Sequence, residues 1–169
     1  MATTLLPILF MLAPQTLENR SDKVIDLFVQ VCLKGEARFR KGEAKKVASS
    51  AMPWRMGWNT KGQYYQVRRP VEAWIAVKDG REVGEDSYAR TCRVGSKYVD
   101  VRAAANQVRA YLRESPLTGD TELRYYEEYY LDGGAKFEVE TRWWIDFVTL
   151  TSYVLTPEAA DRKRRKAAQ

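Results

Sequence analysis

The sequence predicts an α+β domain: an antiparallel sheet of about five to six strands, with two N-terminal helices and one central amphipathic helix on one face. Three observations lead there. Helical periodicity of apolar residues occurs near the start of the chain and again in its middle. A D-G-G turn joins two aromatic-rich segments that alternate in period two. The elements come in blocks (helices, strands, helix, strands), an order that favours an antiparallel sheet over repeated βαβ units. At 169 residues the chain matches one ordinary domain. With 45% hydrophobic and 30% charged residues, wholesale disorder and collagen-like repeats are excluded.

Residues 1–21 form an apolar N-terminal segment, MATTLLPILFMLA followed by PQTLENRS. Leu5 to Ala13 is an unbroken apolar run apart from Pro7, the length of a signal-peptide core and too short to span a bilayer. It reads either as an export signal or as a retained docking arm. Ser21 or Asp22 then caps a helix carrying Val24, Phe28, Val31 and Cys32 at helical spacing, which Gly35 ends. A second helix is expected from Gly42 to Ala51, with Ala44, Val47, Ala48 and Ala51 on one face and Pro53 as its stop.

Residues 62–67 alternate weakly as a strand. Pro70 interrupts, and residues 71–77 alternate cleanly until Lys78-Asp79-Gly80 closes them as a turn. Residues 87–94 form the next strand, with Tyr88, Arg90, Cys92 and Val94 opposite Ala89, Thr91 and Arg93. Asp100 caps an amphipathic helix with the stripe Val101, Ala104, Ala105, Val108, Tyr111 and Leu112. Segments 121–131 and 135–145 pair through Asp132-Gly133-Gly134, and 147–155 is a β-branched, aromatic strand. The main domain is therefore expected over 22–157. Residues 158–169, with Arg162-Lys163-Arg164-Arg165-Lys166, are expected to be a flexible basic tail.

The net charge of +6 is unevenly spread. Residues 34–69 hold ten basic and two acidic residues, whereas 70–157 carry a net −4 and the last twelve residues a net +3. The chain contains no histidine, which excludes Ser-His-Asp and Cys-His catalysis and removes the commonest metal ligand. Neither a G-x-x-x-x-G-K-[ST] loop nor a G-x-G-x-x-G turn after a strand occurs, and no cofactor is expected. Carboxylate catalysis through Glu127, Glu128, Glu138, Glu140 or Asp146 remains open, but no constellation points to it, so a non-enzyme is favoured.

The two cysteines, Cys32 on the first helix and Cys92 on a strand, pair as a disulfide if the chain is exported. The alternative is two buried thiols in a reducing compartment. The apolar N-terminus, the helix containing F-V-x-V-C-L (Phe28 to Leu33), the second, Ala-rich helix and the Y-A-R-T-C strand (Tyr88 to Cys92) before an amphipathic helix together resemble small uncharacterised exported proteins of bacteria. The resemblance covers roughly residues 1–112. It implies periplasmic or secreted placement and no particular activity.

Three surfaces are candidates for function. The first is an anion-binding stretch, Arg38, Arg40, Lys41, Lys45, Lys46, Arg55, Arg68 and Arg69, interleaved with Trp54 and Trp58. A solvated face is the plainer reading of it, and no recognised nucleic-acid-binding fold is visible, so nucleic acid is the less favoured partner. The second is an outward aromatic row, Tyr126, Tyr130 and Trp144, set against Tyr125 and Tyr129 facing the core with Leu123 and Leu131. The third is the basic tail. The leading expectation is a non-catalytic structural or interaction domain acting outside the cytoplasm on a protein partner. The alternatives are an accessory subunit of a larger assembly, docked through arm and tail, and an anionic-ligand or nucleic-acid binder acting through residues 34–69.

Overall fold

A computed structural model describes residues 17–36, 38–56, 62–83, 86–97, 99–114, 122–125, 128–132, 137–144 and 147–169. Among them, eight strands form one wholly antiparallel sheet in the order β1-β2-β3-β4-β8-β7-β6-β5. The strands are β1 (Ala44–Val47), β2 (Gln63–Val67), β3 (Ala73–Val83), β4 (Asp86–Lys97), β5 (Glu122–Tyr125), β6 (Glu128–Asp132), β7 (Phe137–Trp144) and β8 (Phe147–Leu155). The helices are α1 (Leu17–Phe28), α2 (Val101–Glu114) and α3 (Pro157–Ala167). The expected α+β class is what the chain adopts, with all six expected strands in place.

The sheet gains two strands because one expected strand splits and one expected helix is a strand. Segment 121–131 divides into β5 and β6, which pair with each other as Leu123 with Tyr130 and Tyr125 with Glu128. Period-two counting therefore cannot run from Tyr125 to Tyr129. Tyr129 instead pairs with Thr141 of β7. Residues 44–47, expected to be helical, form β1 on the open edge of β2, followed by a short 3-10 turn at Ser49–Ala51. A four-residue strand and one helical turn share too few apolar positions to be told apart by period. Backbone pairing decides it: Glu43 O accepts from the N–H groups of Arg68 and Arg69, extending the β1–β2 ladder. Gly42 before it sits at φ +87°, in the left-handed region.

β3 also runs further than expected. Asp79-Gly80 is not the closing turn. Gly80 adopts φ +66° within the strand, and the pairing steps from Asp79–Arg90 to Arg81–Tyr88 across it. At the same level β4 bulges against β8, with Tyr88 paired to Leu155 and Arg90 to Val154, while β3 and β4 keep their register.

α1 and α2 cover one face of the sheet. Val24, Leu27, Phe28, Val31 and Cys32 from α1 and its extension pack with Ala104, Val108 and Leu112 from α2 onto Ile75, Cys92, Val94, Val139, Val148 and Leu150. Fully burying an aliphatic or phenyl side chain is worth about 1.5–3 kcal/mol, so this layer is the main source of stability. α1 begins at Leu17, inside the segment expected to be an arm. Ser21 is consequently not a cap. Its buried hydroxyl accepts the Asp100 N–H at 3.1 Å, tying α1 to the start of α2. Asp100 caps α2 as expected, its Oδ1 accepting the Ala103 N–H at 2.9 Å.

Past Phe28 the helix widens into a π-turn, Val29–Leu33, closed by Lys34 N–H to Val29 O (2.9 Å) and Glu36 N–H to Gln30 O (2.8 Å). Cys32 lies in this turn and is disulfide-bonded to Cys92, with Cα atoms 5.3 Å apart. The bond joins the first helical segment to β4 across 60 residues of sequence, and both cysteines are buried.

The opposite face of the sheet is also covered. Met56, Tyr64, Trp74, Ala76 and Phe147 form one cluster there, and Tyr88, Tyr153, Leu155 and Ala159 of α3 form another. The expected flexible tail is thus a helix, on the face away from α1 and α2. Thr156 caps it by accepting the Ala159 N–H, Pro157 fills its first turn, Glu158 sits near its N-terminus and Arg164, Arg165 and Lys166 near its C-terminus. Gly95 makes room for the first cluster: a Cβ there would come within 2.6 Å of Phe147 Cε1 and would also collide with Met56 Sδ.

Reduction of the disulfide, or a Cys32→Ser/Cys92→Ser double change, should lower unfolding free energy by about 2–4 kcal/mol. Denaturant titration with and without reductant measures this, and coincident curves would refute it. Gly95→Ala should cost roughly 1–3 kcal/mol through overpacking. The readout is the thermal midpoint, and an unchanged midpoint would show that Met56 and Phe147 repack freely.

Candidate functional site

The basic stretch lies along one edge of the sheet. Arg38, Arg40 and Lys41 lead into β1, Lys45 and Lys46 lie on it, and Arg68 and Arg69 follow β2 beside it. All of these side chains are exposed. The loop is closed locally by Glu43, whose Oε2 accepts the Arg40 N–H at 2.8 Å while its N–H donates to Arg40 O at 3.0 Å. The edge therefore presents its cations from a fixed backbone. Arg55 belongs to a 3-10 turn, Trp54–Met56, and Trp54 in that turn is 72% exposed. That places Trp54 outside the core, as a contact surface requires.

The rest of the aromatic row is only partly placed. Tyr130 pairs with Glu140 and Trp144 with Phe147 in the backbone register. Trp58 and Tyr126 lie outside the described residues, as do Glu127 and Asp146.

Two concavities flank the base of α1. A groove of about 230 Å³ is lined by Leu27, Val31, Phe39 and Pro70, with Lys23, Arg38 and Arg69 balanced by Asp26, Glu36 and Glu43. A smaller cleft of about 160 Å³ opens at the strand-end rim among Arg20, Arg68, Glu72, Trp74, Ser96 and Lys97. The groove is electrically balanced, whereas the cleft has three cations against one carboxylate.

The sheet face away from α1 and α2 holds a polar cluster that alternation alone did not single out. Arg93 is 7% exposed. Its Nε donates to Thr151 Oγ1 at 2.8 Å and one terminal nitrogen donates to Met56 O at 2.6 Å. Burial pushes its pKa below the ordinary arginine range, while Tyr153 and Glu140 pull it back up and Arg142 opposes them. Tyr153 OH donates to Glu140 Oε2 at 2.8 Å. A terminal nitrogen of Arg142 lies 3.0 Å from Glu140 Oε1, a charge contact lacking hydrogen-bond alignment. Glu140, one of the carboxylates open to catalysis, is thus held between a phenol and a guanidinium. The sequence signal was β8 itself, FVTLTSYVL, which carries no charge over its length and is buried on both faces, half-buried Val154 excepted.

Arg93 also fastens the 49–56 segment to the sheet through Met56 O. No helix among the described residues is long and apolar enough to cross a membrane. No protein-family model matches this chain, and comparison with curated proteins and with solved structures returns no match. Its chemistry has to be read from its own side chains.

Arg93→Met should lower stability by about 1–3 kcal/mol for each buried acceptor left unpaired. Denaturant unfolding checks this. An Arg93→Met protein as stable as the parent would mean that the cluster adds nothing to the fold.

Proposed function

We propose that this chain is a non-catalytic interaction domain of an oxidising, extracytoplasmic compartment, presenting the β1 edge to an anionic partner. The observation that carries the reading is the basic edge: Arg38, Arg40, Lys41, Lys45, Lys46, Arg68 and Arg69 are exposed together on one border of the sheet. Cations on a rigid element lose little freedom on binding, so each is worth more than the same charge on a floppy chain. Exposed edge lysines also keep a free strand from pairing with a neighbour, which suits a domain that binds through side chains rather than by strand addition. The Cys32–Cys92 disulfide supports the compartment, because such links persist where thiols are not kept reduced.

A second reading draws on α3. Its exposed Arg162, Arg164, Arg165 and Lys166 stand on a capped helix and form a separate basic projection, suited to docking as a subunit of a larger assembly.

A Lys45→Glu/Lys46→Glu protein should bind immobilised heparin roughly tenfold more weakly at low salt, the gap closing once ionic strength passes about 0.15 M. Equal elution of both proteins would overturn the edge as the binding surface. Protein purified from its native host should have no thiols available to labelling until it is reduced. Two free thiols in its intact mass would overturn the compartment.

A further inference from the structure

We propose that the groove between α1 and residues 36–43 is an anchor pocket for one bulky apolar side chain of an acidic polypeptide partner. The inference rests on the reading of the β1 edge as a surface for an anionic partner, and it names the class of that partner.

The loop side of the groove is fastened at both ends. Glu36 N–H donates to Gln30 O at 2.8 Å and Arg38 N–H to Glu36 O at 2.8 Å, which hold the start of the loop against the π-turn. Glu43 O accepts the N–H groups of Arg68 and Arg69 at 2.8 and 3.4 Å, which hold its end against the chain leading to Pro70. Between these points the Phe39 ring packs on Tyr65, with centroids 6.0 Å apart. Leu27, Val31, Phe39 and Pro70 thus line an apolar concavity of about 230 Å³ that exists before any partner arrives. Small-molecule pockets run to roughly 300–1,000 Å³, so this one suits a single side chain of a longer partner.

Charge around the groove is lopsided. Lys23, Asp26 and Glu36 stand on the side of α1 and its π-turn. Arg38 and Arg69 stand on the side of the sheet edge and belong to the basic run as well as to the groove. Glu43 is the only acidic residue between 37 and 69, and its carboxylate accepts the Arg40 N–H at 2.8 Å. Lys46 pairs with Tyr65 and alternates with Ala44, and Ala44 and Tyr65 both pack with the layer under α1. Lys46 therefore rises on the groove face of β1, whereas Lys45 points to the other face. An apolar hole beside a row of cations fits an apolar side chain beside carboxylates. Among anionic macromolecules a polypeptide carries that pair. Polysaccharides and nucleic acids bring anions without a free aliphatic or phenyl side chain.

The test titrates the full chain with a labelled peptide of aspartates and glutamates around one central phenylalanine, with the same peptide carrying serine at the centre, and with heparin. The readouts are fluorescence polarisation and backbone amide shifts at residues 26–31 and 38–39. The phenylalanine peptide should move those amides and bind roughly tenfold more tightly than the serine peptide, the gain expected from burying one phenyl ring. Arg38→Glu and Lys46→Glu, both at exposed positions, should each weaken it roughly tenfold, while Lys45→Glu leaves it within about twofold. Equal affinity for the two peptides overturns the pocket. The β1 edge then still stands if heparin binding depends on Lys45 and Lys46. No binding of either peptide or of heparin overturns edge and pocket together. Tighter binding by a peptide of residues 5–13 overturns the acidic partner in favour of the chain's own N-terminal segment. The same amide shifts on concentrating the protein alone overturn it in favour of a second copy.

Discussion

The link between Cys32 and Cys92 is the constraint on which the arrangement rests. β4 lies between β3 and β8 in the middle of the sheet, and it is the strand to which the helical layer is covalently tied. The attachment point falls in the π-turn, where the extra residue per turn alters which side chains of the helix end face the sheet. Around it, Arg90 of β4 donates to Val31 O at 3.4 Å and Ser152 of β8 donates to Cys32 O at 3.5 Å, so carbonyls at the helix end are met by neighbouring strands. Gly35, at φ +75°, then turns the chain away, where a Cβ would approach the Arg90 guanidinium. Helix end, disulfide and central strand form one unit, and the basic edge starts immediately after it.

The two faces of the sheet are built on different physics. The face under α1 and α2 is apolar and is stabilised by burial. The other combines aromatic contacts, such as Trp74 with Phe147 at 5.8 Å and Tyr88 with Tyr153 at 5.2 Å, with the Arg93–Thr151 and Tyr153–Glu140 bonds. A buried guanidinium is costly unless its donors are used. That makes this face less forgiving of strand misregister, because a one-residue slip would send Arg93 into the apolar layer.

Much of this was legible in the sequence because local signals and packing agree. Asp100 and the FVTLTSYVL run specify the elements expected of them, and the segments on either side of D-G-G pair as β6 and β7. The failures have local causes. Ala44-Lys45-Lys46-Val47 suits either period, and only the open edge of β2 selects the strand. Asp79-Gly80 is turn chemistry, but a glycine inside a strand can take the same left-handed backbone, as Gly80 does. Thr156-Pro157-Glu158 carries a helix start, which the composition of the charge block after it obscures. Among site residues, the basic edge was visible as a run of charge. The groove beside it was not, because Leu27, Phe39 and Pro70 are scattered along the chain and only the fold brings them together.

The helical state of the C-terminal segment changes what its charges can do. Successive residues on an α-helix are separated by about 100° around the axis. Arg162 through Lys166 are consecutive, so they are dealt round the helix: Lys163, one turn after the buried Ala159, is half-buried, and Arg162, Arg164, Arg165 and Lys166 fan over the exposed sides instead of forming a stripe. A flat surface meets only two or three members of such a fan at once. Because Ala159 fixes one side of α3 against the sheet, the orientation in which those cations meet a surface is set by the docking of the helix on the fold.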